Sequence, residues 1–126
     1  MAGSTRVLLV DDDRLFAESL AVTLGQDERI EVVGIAEDGA EAIELSDRLS
    51  PDLVLMDIAM PGLDGVSATR EICSRSPTTR VVMVTASTGR LDEEMSGEAG
   101  AIGWLRKSEL GSPRVADSLL ALVELS

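Results

Sequence analysis

The chain has 126 residues, which is enough for one domain with a hydrophobic core and too few for two ordinary domains. It carries 23 acidic and 11 basic residues, and the resulting formal net charge of −12 argues against contact with nucleic acid or an anionic membrane. The apolar runs are too short for a membrane span, and the first residues do not form a signal peptide. These features predict one cytoplasmic domain over residues 1–126, with a disordered start at residues 1–4 and with basic or metal-ion partners.

Cysteine and histidine chemistry is nearly absent from the chain. It has one cysteine, Cys73, and no histidine, which excludes an internal disulfide, a Cys-His nucleophile and a zinc cluster. We interpret Cys73 as a thiol of the core. Of the 11 basic residues, ten are arginines and the only lysine is Lys107. A compact ammonium differs chemically from a planar guanidinium, so this lysine is a candidate functional residue.

The predicted elements alternate between strands and helices along the chain. Five short apolar runs, mostly Leu, Met and β-branched residues, predict buried strands at residues 7–10, 30–36, 52–56, 80–84 and 101–105. Apolar residues at helical spacing follow four of these runs: Phe16, Leu20 and Leu24; Ala42, Leu45 and Leu49; Val66, Thr69 and Cys73; and Ala116, Leu119, Leu122 and Val123. Strands that alternate with helices form right-handed βαβ units, so we expect an α/β fold with a parallel sheet covered on both faces.

The fourth helical segment, residues 89–100, gives the weakest signal. It is acidic, and its apolar stripe consists only of Leu91, Met95 and Ala99. Gly97 in its interior costs roughly 1 kcal/mol relative to alanine. We therefore predict that residues 89–99 are less well ordered than the other helices.

Polar residues stand where three of the predicted strands end. Asp11 and Asp12 follow the first strand, Asp57 ends the third and Thr85 ends the fourth. Sites form at the carboxyl ends of the strands in open parallel sheets, so these residues should meet at one edge. Each pair of carboxylates 4 Å apart repels by about 4 kcal/mol at an effective dielectric near 20. A hard divalent cation such as Mg²⁺, bound by oxygen ligands, would offset that repulsion.

Four motifs occur in a fixed order along almost the whole chain: "VLLVDDD", "LVLMDIAMPGLDG", "VVMVTAS" and "AGAIGWLRKS". Together they resemble the receiver domain of two-component response regulators, over residues 6 to about 124. The last motif, in which Ser108 follows Lys107, is similar to the NarL/FixJ-type branch. The resemblance implies a flavodoxin-like (βα)5 fold with a five-stranded parallel sheet of order 2-1-3-4-5.

The resemblance also implies a chemical role for six positions. They are Asp57 as the phosphoacceptor, Asp12 as a direct Mg²⁺ ligand, Asp11 as a ligand through water, Ala59 as a ligand through its backbone carbonyl, and Thr85 and Lys107 as partners of the phosphoryl oxygens. Mn²⁺ would substitute for Mg²⁺. The phosphoryl group would come from a phosphohistidine on a sensor histidine kinase, and the product would be an aspartyl phosphate.

A conformational switch belongs to the same family pattern. Phosphorylation of Asp57 would draw Thr85 toward the phosphate and let Trp104 turn inward, which would reshape the face made by the fourth helix, fifth strand and fifth helix. Trp104 stands where Tyr or Phe is usual in the family, and an ordinary buried aromatic is the alternative interpretation. Residues 93, 94 and 97 are Glu, Glu and Gly where the family usually has apolar residues.

The output and its alternatives follow from the same resemblance. We expect a helix-turn-helix DNA-binding domain in a longer parent chain, no direct DNA contact by this domain, and homodimer formation on phosphorylation. A non-phosphorylated interaction module is the alternative function. Haloacid-dehalogenase-like phosphatases also use a strand-terminal Asp, but they place a second Asp two residues later, where this chain has Ala59. We therefore predict a stoichiometric phosphoacceptor that dephosphorylates slowly through water near Ala59 and Ser87, not a turnover enzyme.

Two other acidic residues have simpler interpretations. Asp13 is interpreted as the N-cap of the first helix and not as a third metal ligand. Asp64, before Gly65, is interpreted as the cap or turn that begins the third helix.

Overall fold

The computed structural model describes residues 3–58, 60, 62, 64–85 and 97–125. Five parallel strands form one sheet in the order β2-β1-β3-β4-β5. The strands are β1 (Thr5–Val10), β2 (Ile30–Ala36), β3 (Leu53–Asp57), β4 (Arg80–Thr85) and β5 (Gly103–Arg106). The helices are α1 (Arg14–Gly25), α2 (Gly39–Leu49), α3 (Gly65–Arg75), a 3-10 helix (Lys107–Gly111) and the C-terminal helix (Val115–Leu125). This confirms the predicted flavodoxin-like α/β fold and its strand order.

Burial differs between the central and the edge strands. β1, β3 and β4 are almost entirely buried, as predicted. The prediction that all five strands are buried is wrong for β2 and β5, which are only partly buried because each has a neighbouring strand on one side only. The fifth strand also begins later than predicted, at Gly103, although Ile102 donates its backbone N–H to the Val81 carbonyl at 2.8 Å.

Alternating residues of the sheet form two hydrophobic cores. One core, on the side of α1 and the C-terminal helix, includes Leu9, Leu55 and Leu119. The other core, on the side of α2 and α3, includes Leu8 and Met56. Since successive side chains of a strand point to opposite faces, both faces of the sheet are apolar and the polar residues are displaced to the strand ends.

Three helices begin at an aspartate that caps them. The carboxylates of Asp13, Asp38 and Asp64 accept the backbone N–H groups of Phe16, Glu41 and Ser67, respectively. The predicted capping roles of Asp13 and Asp64 are therefore confirmed. Each cap satisfies one of the N–H groups that the first turn of a helix leaves without a partner in the helix.

The C-terminal helix starts near the amino ends of the strands. In its first turn Asp117 pairs with Arg29, which precedes β2, at 2.6 Å. Farther along, Leu122 packs against Gly103 at the beginning of β5, where an added Cβ would lie 3.1 Å from the leucine side chain. The chain therefore returns across the sheet through the 3-10 helix before the last helix begins.

Cys73 lies at the edge of a core and is half-buried. Its thiol is 3.7 Å from the Gly100 carbonyl oxygen, and burial raises the pKa of the thiol. The expectation of a core thiol therefore needs correction: Cys73 packs against the core on the side of α2 and α3 but is only partly buried. Residues 97–99 beside it are helical, but residues 89–96 of the predicted fourth helical segment lie outside the described residues.

In the described part of the chain, no helix is both long enough and apolar enough to cross a membrane.

Candidate functional site

An acidic cluster lies at the carboxyl edge of the sheet. It consists of Asp11 and Asp12, which follow β1, and Asp57, which ends β3. One carboxylate oxygen from each residue lies within 4.8 Å of the others. Asp11 is 5% exposed and Asp57 is 7% exposed, whereas Asp12 is exposed to solvent. β1 and β3 are adjacent parallel strands, so both end at this place and bring the three side chains together.

Backbone and side-chain hydrogen bonds hold Asp11 firmly. Its N–H donates to the Ala36 carbonyl at the end of β2, at 3.0 Å. One carboxylate oxygen accepts the Asp13 N–H at 2.8 Å, and the other accepts the Lys107 ammonium at 2.9 Å. Asp11 is therefore tied to β2, to the beginning of α1 and to the residue after β5.

Lys107 supplies a positive charge to this cluster. It is the first residue after β5, and its side chain is 29% exposed. Burial alone lowers the pKa of Lys107, but the hydrogen bond from its ammonium to Asp11 and the charges of Asp11, Asp57 and Asp13 outweigh burial and raise the pKa above its usual value. The ammonium also lies over the ring of Phe16, with Nζ 4.5 Å from the ring centroid.

The end of β3 is held between β4 and α3. Ile58 donates its N–H to the Val84 carbonyl at 3.0 Å, and Gly65 donates its N–H to the Ile58 carbonyl at 3.2 Å. The contact at Gly65 is so close that an added Cβ would overlap the Asp57 carbonyl oxygen and lie 2.9 Å from the Ile58 Cα. The absence of a side chain at Gly65 therefore lets α3 begin directly against the backbone of Asp57.

Thr85 ends β4, next to β3, and is buried. Val84, the residue before it, pairs with Asp57 in the sheet, so Thr85 lies at the same edge as the acidic cluster. Trp104 pairs with Met83 two residues before the end of β4 and packs, half-buried, against the core on the side of α2 and α3. Ala59 and Ser87 lie outside the described residues.

The acidic cluster has the chemistry of a site for a hard divalent cation. Two of its three carboxylates are buried, and at 4.8 Å each pair of charges repels by about 3 kcal/mol at an effective dielectric of 20. Lys107 offsets this repulsion only in part, because its contact is with Asp11. Carboxylate oxygens at this spacing, with water completing the shell, fit the preferences of Mg²⁺.

The strand order and the residues at the carboxyl edge of the sheet identify the type of domain. A flavodoxin-like sheet of order 2-1-3-4-5 carries acidic residues at the ends of β1 and β3 and a lysine after β5, which is the arrangement of CheY-like domains. The sequence profile of the response regulator receiver domain matches residues 7–115. The chain belongs to this family, the receivers of two-component signalling systems, as its motifs predicted.

Similar proteins include a transcriptional regulatory protein and protein-glutamate methylesterases/protein-glutamine glutaminases. The transcriptional regulatory protein LiaR of Bacillus subtilis (strain 168) is 37% identical over 116 residues, which are 92% of this chain and 54% of LiaR. A protein-glutamate methylesterase/protein-glutamine glutaminase of Geobacter sulfurreducens is 44% identical over 105 residues, which are 82% of this chain and 29% of that protein. The chain thus spans between about a third and about half of these curated relatives.

Solved structures of isolated receivers match nearly the whole chain. The signal receiver domain of NarL from Mycobacterium tuberculosis superposes with a TM-score of 0.89, at 31% identity, and covers 98% of both chains. The response regulator domain of CheB from Thermotoga maritima superposes with a TM-score of 0.82, at 32% identity, and covers 97% of this chain and 95% of that one. The neighbours therefore include the NarL-type receivers that the last motif indicated.

Two residues at the site were not identified from the sequence. Phe16 was assigned only to the apolar stripe of the first helix, and its contact with Lys107 joins parts of the chain 91 positions apart. Gly65 was assigned to the start of a helix, and nothing in its neighbourhood in the sequence indicated the contact with Asp57. The choice of glycine directly after the capping Asp64 is consistent with this contact, because so close an approach to backbone requires a residue without Cβ.

Proposed function

We propose that this domain is a phosphorylation-controlled switch in which Asp57 accepts a phosphoryl group from a phosphohistidine of a sensor histidine kinase. A carboxylate oxygen of Asp57 attacks phosphorus, so a new O–P bond forms as the P–N bond breaks. The imidazole nitrogen keeps the electron pair of that bond and takes up a proton from solvent. The product is an aspartyl phosphate, and the reaction consumes one phosphoryl group for each chain.

The other side chains of the site have electrostatic roles in this proposal. Lys107 would move from Asp11 to an oxygen of the incoming phosphoryl group, and the Thr85 hydroxyl would donate a hydrogen bond to another. Asp12 and Asp57 would hold Mg²⁺ directly, with the Ala59 carbonyl, and Asp11 would hold it through water; Mn²⁺ would substitute. The cation supplies charge neutralisation to the phosphoryl oxygens when it is bound.

The response of the domain would start at Thr85 and end at the surface that includes β5 and the C-terminal helix. Thr85 and Trp104 lie on β4 and β5, which are adjacent strands, and Trp104 is only half-buried. A Thr85 hydroxyl drawn to the phosphate would open space beside β5 into which the indole could turn. Dimer formation on phosphorylation is part of this proposal.

The output belongs to a further domain in the proposal. LiaR is a transcriptional regulatory protein of which the chain spans about half, so a helix-turn-helix DNA-binding domain in the parent chain is the output that we favour. The methylesterase relatives make an enzymatic output domain the second candidate. In either case this acidic domain would act in the cytoplasm by controlling its partner domain, and would neither contact DNA nor turn over a substrate itself.

One observation carries the proposal: Asp57 lies at the end of a buried strand, within 4.8 Å of the carboxylates of Asp11 and Asp12, and Asp11 in turn contacts the Lys107 ammonium. The test is incubation with phosphoramidate and Mg²⁺, followed by intact-mass analysis. We expect one adduct of roughly +80 Da, the mass of one phosphoryl group. The adduct should be absent from Asp57→Asn. It should be present in the control variant Asp117→Asn, because Asp117 is an exposed carboxylate near the amino ends of the strands.

The same experiment separates the alternatives. A native chain without an adduct would support the non-phosphorylated interaction module, and an adduct that persists in Asp57→Asn would assign the acceptor to another residue. Rapid release of phosphate over many turnovers, beyond both the spontaneous hydrolysis of phosphoramidate and the slow loss of phosphate from the adduct, would indicate a phosphatase.

A further inference from the structure

The ring of Phe16 forms part of the acidic site although the residue is apolar. Phe16 is the third residue of α1, and its N–H is the group that the Asp13 cap accepts, at 3.1 Å. The same cap that starts the helix therefore holds the backbone from which the ring projects. The ring centroid lies 4.5 Å from the Lys107 ammonium, within the range of a cation–π contact.

The Lys107 ammonium contacts two groups of different chemical character, a carboxylate and an aromatic ring. The buried carboxylate of Asp11 accepts a hydrogen bond from the ammonium at 2.9 Å, and the face of the Phe16 ring lies 4.5 Å from it. Lysine has a long flexible stem and a point charge, so one hydrogen bond alone fixes its position poorly. The ring face adds a second attraction, which grows as the cation loses water.

We propose that Phe16 is a positioning residue for phosphoryl transfer to Asp57, acting by holding the Lys107 ammonium at the acidic cluster. This inference rests on the proposed function. An aromatic face suits the task because it attracts a cation without a directed hydrogen bond. Lys107 can then exchange Asp11 for a phosphoryl oxygen without breaking a second ion pair, while the ring keeps the stem in place.

Packing is the competing explanation for Phe16. The residue also lies against the core on the side of α1, close to Leu20 and Leu110. A simple truncation would disturb that core as well as the contact with Lys107. The decisive experiment must therefore change the charge distribution of the ring at nearly constant size.

The composition of the chain makes such an experiment possible. The chain has a single Phe and a single Lys, so biosynthetic incorporation of fluorinated phenylalanine changes Phe16 alone, and ¹⁵N-lysine labels Lys107 alone. A series with one, two and three ring fluorines weakens the attraction of the ring for a cation step by step. We expect the rate of phosphorylation by phosphoramidate and Mg²⁺ to fall along the series, by about two- to tenfold at the last member.

A second readout does not depend on phosphorylation. The ¹⁵N signal of the Lys107 ammonium, recorded without phosphoramidate, should shift progressively along the fluorine series as the ammonium leaves the ring. Phe16→Trp should keep at least the wild-type rate of phosphorylation, because indole attracts cations more strongly than phenyl. Phe16→Leu has no aromatic face, so its rate of phosphorylation should fall about as far as that of the trifluorinated protein. The free energy of unfolding of each protein, measured in urea, serves as the control for packing.

The outcomes separate this inference from the proposed function. A wild-type rate and an unmoved Lys107 signal across the fluorine series, with only Phe16→Leu slowed, would assign Phe16 to packing and overturn the inference. A wild-type protein that accepts no phosphoryl group would overturn both the phosphoacceptor role of Asp57 and the positioning role of Phe16. A wild-type adduct with rates insensitive to fluorination would overturn only the role of Phe16.

Discussion

Gly65 gives the sharpest quantitative prediction, because a substitution there acts directly on the backbone of Asp57. In Gly65→Ala the new Cβ would overlap the Asp57 carbonyl oxygen and lie 2.9 Å from both the Asp57 carbonyl carbon and the Ile58 Cα. Carbon atoms in ordinary contact are about 3.5–4.0 Å apart, so the start of α3 must move away from the end of β3 by roughly 0.6–1.1 Å. The neighbouring atoms are backbone and cannot rotate aside.

The expected cost is large for a single methyl group. Overpacking of this kind costs about 1–3 kcal/mol, and the strain on the hydrogen bond from Gly65 to Ile58 adds about 1 kcal/mol. We expect Gly65→Ala to lower the free energy of unfolding by about 3 kcal/mol, and the Tm by roughly 10 °C for a chain of this size. It should also slow phosphorylation, since the carboxylate of Asp57 moves with its backbone.

The assay is urea unfolding followed by fluorescence of Trp104, the single tryptophan of the chain. Gly25→Ala is the matched control, because Gly25 ends α1 with nothing within 4 Å of an added Cβ. That variant should be unchanged or more stable by up to about 1 kcal/mol, since alanine restricts the unfolded chain. A Gly65→Ala protein within 0.5 kcal/mol of wild type, a margin typical of neutral surface changes, would refute the argument from close contact.

Three further predictions concern charge, metal binding and the core. The hydrogen bond from Arg29 lowers the pKa of Asp27 to about 2, so their interaction stabilises the fold above the ordinary pKa of 3.8 and is lost as the pH falls toward 2. In Arg29→Gln the pKa of Asp27 should return toward 3.8 in an NMR titration of carboxyl carbons, and an unchanged value would exclude Arg29 as the cause. Without metal and at low salt, Asp57→Asn should raise the free energy of unfolding by about 1–2 kcal/mol because it removes repulsion within the acidic cluster. Mg²⁺ should then raise the Tm of wild type more than that of Asp57→Asn, and equal shifts in both proteins would exclude binding at the acidic cluster. Leu119→Ala, at a position that is 0% exposed, should cost about 2–5 kcal/mol, whereas Val22→Ala, at a position 67% exposed, should cost less than about 0.5 kcal/mol.

Local patterns were sufficient to predict most of the fold. The apolar runs gave all five strands, and Asp13 and Asp64 were identified as helix caps from their neighbours in the sequence alone. The errors fall where the environment of a residue is set by distant parts of the chain. β5 was predicted to be buried because its run is apolar, but burial depends on which strands lie beside it.

In the acidic site, too, some features could be predicted from local sequence and others depend on distant contacts. That Asp11 and Asp57 would share an edge followed from parallel strands, because the carboxyl ends of such strands must meet. The binding partners of Lys107 did not follow from that rule. Its contacts with Asp11 and Phe16 depend on how the chain after β5 packs over the first turn of α1.

The α/β class, the strand order implied by the family motifs, and the identity of the residues at the acidic edge could all be read from the amino-acid sequence. These properties are encoded in local hydrophobic periodicity and in short motifs, which need no knowledge of distant contacts. The folded structure was needed to show that Gly65 closes on the backbone of Asp57 and that the ammonium of Lys107 contacts both a carboxylate and an aromatic ring. Such contacts join residues far apart in the chain, and the close packing of the folded interior fixes their distances.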